Sequence, residues 1–113
     1  MISVSPGDAL LTAFQRMRAA DISQLPVLQD GKLVGLLDES DLLLHVSADS
    51  ERFRQPVASA MNRQLRTLAP NAGLHTLIAT LGEGWVAVVA DADRFYGLIT
   101  RFDLLNYLRR TLA

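Results

Sequence analysis

Cysteine is absent from the 113 residues. Disulfides, thiolate catalysis and cysteine metal sites are therefore excluded, and the chain is indifferent to the redox state of its compartment. No apolar run approaches the roughly 18 residues that a membrane-spanning helix needs, and the N-terminus lacks the basic-then-apolar layout of a signal peptide. A cytoplasmic setting is the expectation. A basic field is missing too: the net charge is −1 and Lys/Arg do not cluster on any segment, which argues against a nucleic-acid partner. His45 and His75 have no second histidine or carboxylate at metal-ligand spacing, so surface or packing roles are expected of them. No nucleophile with a base and no phosphate-binding glycine loop can be found, and catalysis by this chain is not expected.

What is present is an ordinary globular balance, 50% apolar and 20% charged, enough for one compact domain or two small halves sharing a core. Met1 runs almost directly into a structured segment, as expected of a module taken from a longer protein. Two stretches organise the chain. Phe95-Tyr96-Gly97-Leu98-Ile99-Thr100-Arg101-Phe102-Asp103-Leu104-Leu105 reads as a short apolar strand that breaks off at Thr100 and turns into a helix. Lying 62 positions upstream, Leu33 to Leu43 repeats its glycine, its acidic residue and its Leu-Leu pair. The chain is a tandem repeat.

In the first copy, Ser5-Pro6-Gly7-Asp8 has the residues of a capping box with Pro in the first helical position. It predicts a helix that buries Leu10, Leu11, Phe14 and Met17 and stops near Ala20-Asp21. Leu25 to Gln29 reads as a strand, and Asp30-Gly31 as the two-residue hairpin turn into Lys32–Leu37. Pro26 is expected at a strand start or edge. Asp38 should cap the next helix, and Ile2-Ser3-Val4 could supply a short strand before the first.

Residues 47–55 are polar and read as a linker, giving a first motif over 1–46 and a second over 56–113. Pro56–Met61 predicts a short helix. Arg66-Thr67-Leu68 is the counterpart of the first short strand, and Leu74, Ile78 and Leu81 match Leu10, Phe14 and Met17. The second helix is three residues shorter and ends at Gly82-Glu83-Gly84. Trp85–Ala90 is apolar on both faces and should be a central strand. Asp91–Arg94 turns the chain into Phe95–Thr100, and Phe102, Leu105, Tyr107 and Leu108 should give the last helix its apolar face. Such repeats imply halves that cannot each cover their own sheet and so pack together.

Leu25-Pro26-Val27, the hairpin, Gly35-Leu36-Leu37 and Asp41-Leu42-Leu43 are followed in the same order by Ala87-Val88-Val89, Gly97-Leu98-Ile99-Thr100 and Asp103-Leu104-Leu105. The two sets resemble tandem cystathionine β-synthase (CBS) motifs, a Bateman module. Within that family, Thr100–Tyr107 followed by Arg109-Arg110 is most similar to the C-terminal regulatory region of cystathionine β-synthase itself. The resemblance implies an α/β (α+β) fold of two repeats, each a small sheet with two helices, packed with pseudo-two-fold symmetry. It implies adenosyl ligands (AMP, ADP, ATP or S-adenosylmethionine) in clefts between the motifs, and control of an attached enzyme domain.

Carried over by position, Asp103 would take both ribose hydroxyls, since one carboxylate can accept from two adjacent donors. Thr100 would contact the sugar or first phosphate. Thr67, Leu68, Trp85, Val86 and Ala87 would frame the adenine, with Arg101 or His75 near an anionic tail. The weaker cleft would use Asp41, Asp38, Leu25 and Pro26. There Asp38 replaces the family's Ser/Thr and, with Glu39, should repel an anionic tail, leaving that cleft empty or suited to a cation such as a sulfonium. From spacing alone, Thr100-x-x-Asp103 and Asp38-x-x-Asp41 are equally well explained as capping boxes, and Trp85 as a core residue. Leu42-Leu43-Leu44 and Leu104-Leu105 exceed what one helix face needs, which suits a partner surface and, by resemblance, a homodimer. Arg109-Arg110 suits a helix C-terminus electrostatically. A ligand-free scaffold with degenerate clefts is the competing expectation.

Overall fold

The computed structural model describes residues 1–112, which form four α-helices and two small sheets. The chain divides into two compact units, Met1–Gln64 and Leu65–Ala113.

In unit 1, helix α1 (Leu10–Ala20) leads to strands β1 (Gln24–Gln29) and β2 (Lys32–Asp38), then to helix α2 (Glu39–Val46). β1 and β2 pair antiparallel, and Val4 bridges Val27 in parallel on the far side of β1. The hairpin closes as the sequence predicts, because Asp30 (φ 52°) and Gly31 (φ 78°) both take the left-handed conformation a twisted two-residue turn requires. α1 stops at Ala20 because Asp21 enters the left-handed region at φ 53° and its N–H turns back to Arg18 O and Met17 O.

One expectation fails here, and for a physical reason. Ser5 does not cap α1. Its N–H donates to Asp8 Oδ2 (2.8 Å) within a tight turn, and α1 starts only after Ala9. Long-range backbone bonds hold this segment: Val57 N to Asp8 O at 2.7 Å, Ala58 N to Pro6 O at 3.0 Å and Leu10 N to Gln55 O at 2.9 Å. Pro26 lies inside β1, at the edge of the two-stranded sheet, the second of the two places expected of it. Its carbonyl accepts from Val4 N (3.1 Å), so its nitrogen also faces the side covered by that single bridge, where no N–H is required.

The unit 1 core gathers Val4, Leu10, Ala13, Met17, Leu25, Val27, Leu37, Leu42, Val57 and Met61. Phe14 and Leu11 stay partly outside it, Phe14 resting on Phe53 with ring centroids 5.8 Å apart. Residues 50–54 and 57–59 form short 3₁₀ helices. Asn62 then bridges Leu36, with Leu36 N to Asn62 O at 2.9 Å and the reciprocal bond at 2.7 Å.

Unit 2 repeats the plan. β3 (Arg66–Leu68) runs parallel to β4 (Ala87–Ala90), which pairs antiparallel with β5 (Phe95–Ile99); α3 (Leu74–Gly82) and α4 (Arg101–Arg109) complete it. β4 is central as expected but starts two residues later, since Gly84 at φ 93° turns the chain just before Trp85. The register shift between Val89 and Ala90 recurs 62 positions after the one between Val27 and Leu28. The repeat thus extends to its irregularities. Among the described residues only Leu81, Ala87 and Val88 are buried apolar groups of unit 2. The apolar face expected on α4 is left open, with Phe102 at 78% and Leu105 at 59% exposure.

Candidate functional site

Each unit has a joint where a strand hands over to a helix. In unit 2 the chain leaves β5 at Ile99, and Thr100 stays extended (φ −103°, ψ 171°) while α4 begins at Arg101. Asp103 N donates to Thr100 Oγ1 (3.3 Å), and Thr100 N donates back to Asp103 Oδ2 (2.8 Å). Thr100 Oγ1 also donates to that oxygen, at 3.0 Å. The pair is a complete capping box, so local physics alone accounts for both residues. Asp103 is nonetheless exposed, and its Oδ1 makes no hydrogen bond among the described residues. A carboxylate with one oxygen uncommitted at a helix N-terminus can still accept hydroxyl donors.

Arg101 turns back from α4 and donates Nε to Leu81 O (2.9 Å) at the end of α3. Its guanidinium lies against Gly84, where a Cβ would sit 3.7 Å from Nη2. Trp85 follows, half-buried, and its ring is covered by the guanidinium of Arg66 at 4.0 Å from the centroid. The sheet register explains this grouping: Arg66 pairs with Ala87, and Ala87 with Ile99. The head of β3, the head of β4 and the tail of β5 therefore share one end of the sheet. Thr67 and Leu68 pair with Val88 and Val89 further along, and Val86 is half-buried. Ala87 has no exposed surface, while His75 sits exposed in the first turn of α3.

The unit 1 joint has the same form and opposite electrostatics. Asp41 N donates to Asp38 Oδ1 (2.7 Å), and Asp38 N reaches Asp41 Oδ2 at 3.4 Å. Burial raises the Asp41 carboxyl above its ordinary value of 3.8, and the neighbouring Asp38 charge adds to the rise. Glu39 stands exposed beside them. Leu25 and Pro26 are buried, Leu25 with no exposed surface.

Sequence reasoning missed Arg66. Its only signal was a basic residue opening a strand, and its relation to Trp85 needs the β3–β4 register. His45 Nε2 lies 2.6 Å from Gln55 Oε1 and 3.5 Å from Ser59 Oγ, in a polar cluster that joins α2 to the short 3₁₀ segments. No group of three or more metal-ligating side chains occurs among the described residues, nor does any helix there have the length and apolarity to cross a membrane.

A sequence profile of the CBS domain matches residues 1–48 and again 57–110. A CBS domain-containing protein of Bacillus subtilis, YhcV, is 24% identical over 104 residues, covering 90% of this chain and 74% of that protein. A cystathionine beta-synthase of Dictyostelium discoideum is 26% identical over 116 residues, covering 97% of this chain and 23% of the enzyme. Among solved structures, that of CBSX2 in complex with AMP matches with a TM-score of 0.84 at 22% identity, over 96% of this chain and 87% of the other, a likeness of fold.

Proposed function

The chain belongs to the CBS-domain family, with two motifs in tandem, and on that premise we propose that it binds an adenosyl ligand and passes its occupancy to an attached or partner enzyme domain. A CBS pair is a regulatory, non-catalytic type of module. The observation that carries the ligand reading is the unit 2 joint: Asp103 keeps an oxygen available beside Thr100, and Arg66 and Arg101 stand at the same end of the sheet. The AMP bound by a protein of the same fold supports it. Regulation then requires that the ligand prefer one arrangement of the whole protein, since equal affinity for two arrangements shifts neither. Cystathionine β-synthase is one candidate for the controlled enzyme, on the strength of the Dictyostelium relative. For the oligomer we propose a homodimer, supported by the exposed Leu43, Leu44 and Leu105 and by a cavity of about 350 Å³ that Phe14, Leu42, Leu43, Val46 and Phe53 help to line.

The test is a thermal unfolding screen with AMP, ADP, ATP and S-adenosylmethionine, with and without magnesium. A ligand at about 100 times its Kd adds roughly 2.7 kcal/mol, which shifts Tm by several degrees in a domain of this size. A shift with one compound names the ligand class. A ligand-free scaffold remains the second reading, favoured by the fact that both joints are already closed as capping boxes; a well-folded dimer shifted by none of the four compounds would establish it.

A further inference from the structure

Trp85 is the only tryptophan of the chain, and one guanidinium covers its ring while a second lies against the residue before it. Arg66 lies over its ring, and Arg101 lies against the preceding residue, Gly84. Neither arginine makes an ion pair among the described residues, although Asp103 is only two positions from Arg101. Arg101 is anchored through Nε to Leu81 O. Arg66 has no such anchor: it is exposed on the three-residue strand β3, and its guanidinium has the Trp85 ring as its one partner there. An exposed cation–π contact is weaker than a charge-assisted hydrogen bond to an oxyanion. An anion arriving at this end of the sheet can therefore draw Arg66 off the ring and expose a flat aromatic face.

We propose that Arg66 is the specificity-determining residue of the unit 2 site, exchanging its contact with Trp85 for the anionic tail of a phosphorylated nucleoside. The inference rests on the adenosyl reading above and adds a choice within it. Two unpaired guanidinium groups against the single carboxylate of Asp103 favour a nucleoside phosphate over the cationic S-adenosylmethionine. The exchange alters what touches the indole ring, so tryptophan emission reports it from this one position.

The experiment is a fluorescence titration of the intact protein with AMP, adenosine, S-adenosylmethionine and inorganic pyrophosphate, in wild type, Arg66→Ala and Arg66→Lys. AMP is expected to bind about tenfold more tightly than adenosine in wild type and to change Trp85 emission. Arg66→Ala should remove most of the AMP preference, the remainder resting on Arg101, and leave adenosine unchanged, while Arg66→Lys, which keeps the charge, should retain a larger part of it. If AMP keeps its full advantage in Arg66→Ala, or S-adenosylmethionine is the preferred ligand of wild type, the role of Arg66 is refuted while the adenosyl reading stands. If no adenosyl compound binds but pyrophosphate perturbs Trp85 in wild type and not in Arg66→Ala, the adenosyl reading fails and the anion role of Arg66 holds. Silence from all four compounds overturns both.

Discussion

Substituting Gly35 by alanine tests whether close packing explains the glycine of the first motif. The backbone there is not left-handed, so any cost comes from space. A Cβ would lie 2.7 Å from Met61 Sδ, 3.0 Å from Met61 Cγ and 3.1 Å from Asn62 O. Ordinary carbon contacts sit at about 3.5–4.0 Å, so the methyl overlaps the thioether by roughly 1 Å. Met61 is buried in the unit 1 core, and Asn62 O is held by Leu36 N, so neither side retreats freely. Overpacking of this kind costs about 1–3 kcal/mol, offset by about 0.4–1 kcal/mol from the stiffer unfolded chain. The net, on the order of 1–2 kcal/mol, corresponds to a Tm roughly 4–8 °C lower. Met61→Ala alone should cost about 2–5 kcal/mol through the cavity it leaves. In the double variant the new methyl enters that cavity, and the loss should fall short of the sum by about 1 kcal/mol or more. Urea denaturation followed by far-UV circular dichroism measures all four proteins. A Gly35→Ala protein as stable as wild type, or a strictly additive double variant, would refute the packing argument.

Asp103→Ala should abolish adenosyl binding by calorimetry while the fold survives; unchanged affinity with lowered stability would leave Asp103 as a cap alone. Asp41 binds its proton more readily in the folded than in the unfolded chain. Stability therefore falls as pH rises through and above the ordinary carboxylate range, and the penalty persists at neutral pH. Asp41→Asn should raise Tm at about pH 7 and leave it unchanged at about pH 3, where both states are protonated; an equal change at both values would show that charge is not the cause. Gly31→Ala meets no neighbouring atom but must hold φ +78°, so it should cost about 1–2 kcal/mol. Gly7→Ala, equally uncrowded and without that constraint, should be close to neutral in the same melt.

Features governed by neighbours in sequence were legible. The 62-residue offset carried the Gly-to-Asp joint from one copy to the other, and the recurring register shift confirms that the copies correspond in three dimensions. Asp30-Gly31 and the stop at Asp21 depend on single-residue φ preferences and were read directly. Features governed by distant partners were not legible. The Ser5–Asp8 box was recognised as chemistry but misplaced, because bonds from Val57 and Ala58 divert the segment before the helix can start. At the site, the Thr100–Asp103 pair is visible as spacing, whereas the Arg66–Trp85 stack exists only once the register sets Arg66 opposite Ala87.

The uneven burial of the two units has a consequence for how a bound ligand would be sensed. Unit 1 gathers ten buried apolar residues in its cluster, while unit 2, which carries the proposed site, has three among the described residues. Local opening free energies follow such packing, so the amides of unit 2 should exchange with solvent well before those of unit 1. A ligand adding roughly 2.7 kcal/mol there acts on the half with the least stability of its own. Occupancy would then be written as order: β3, β4 and α4 would pass from frequent opening to protection while unit 1 stayed as it was, and a partner domain could read that stiffening without any displacement of the backbone.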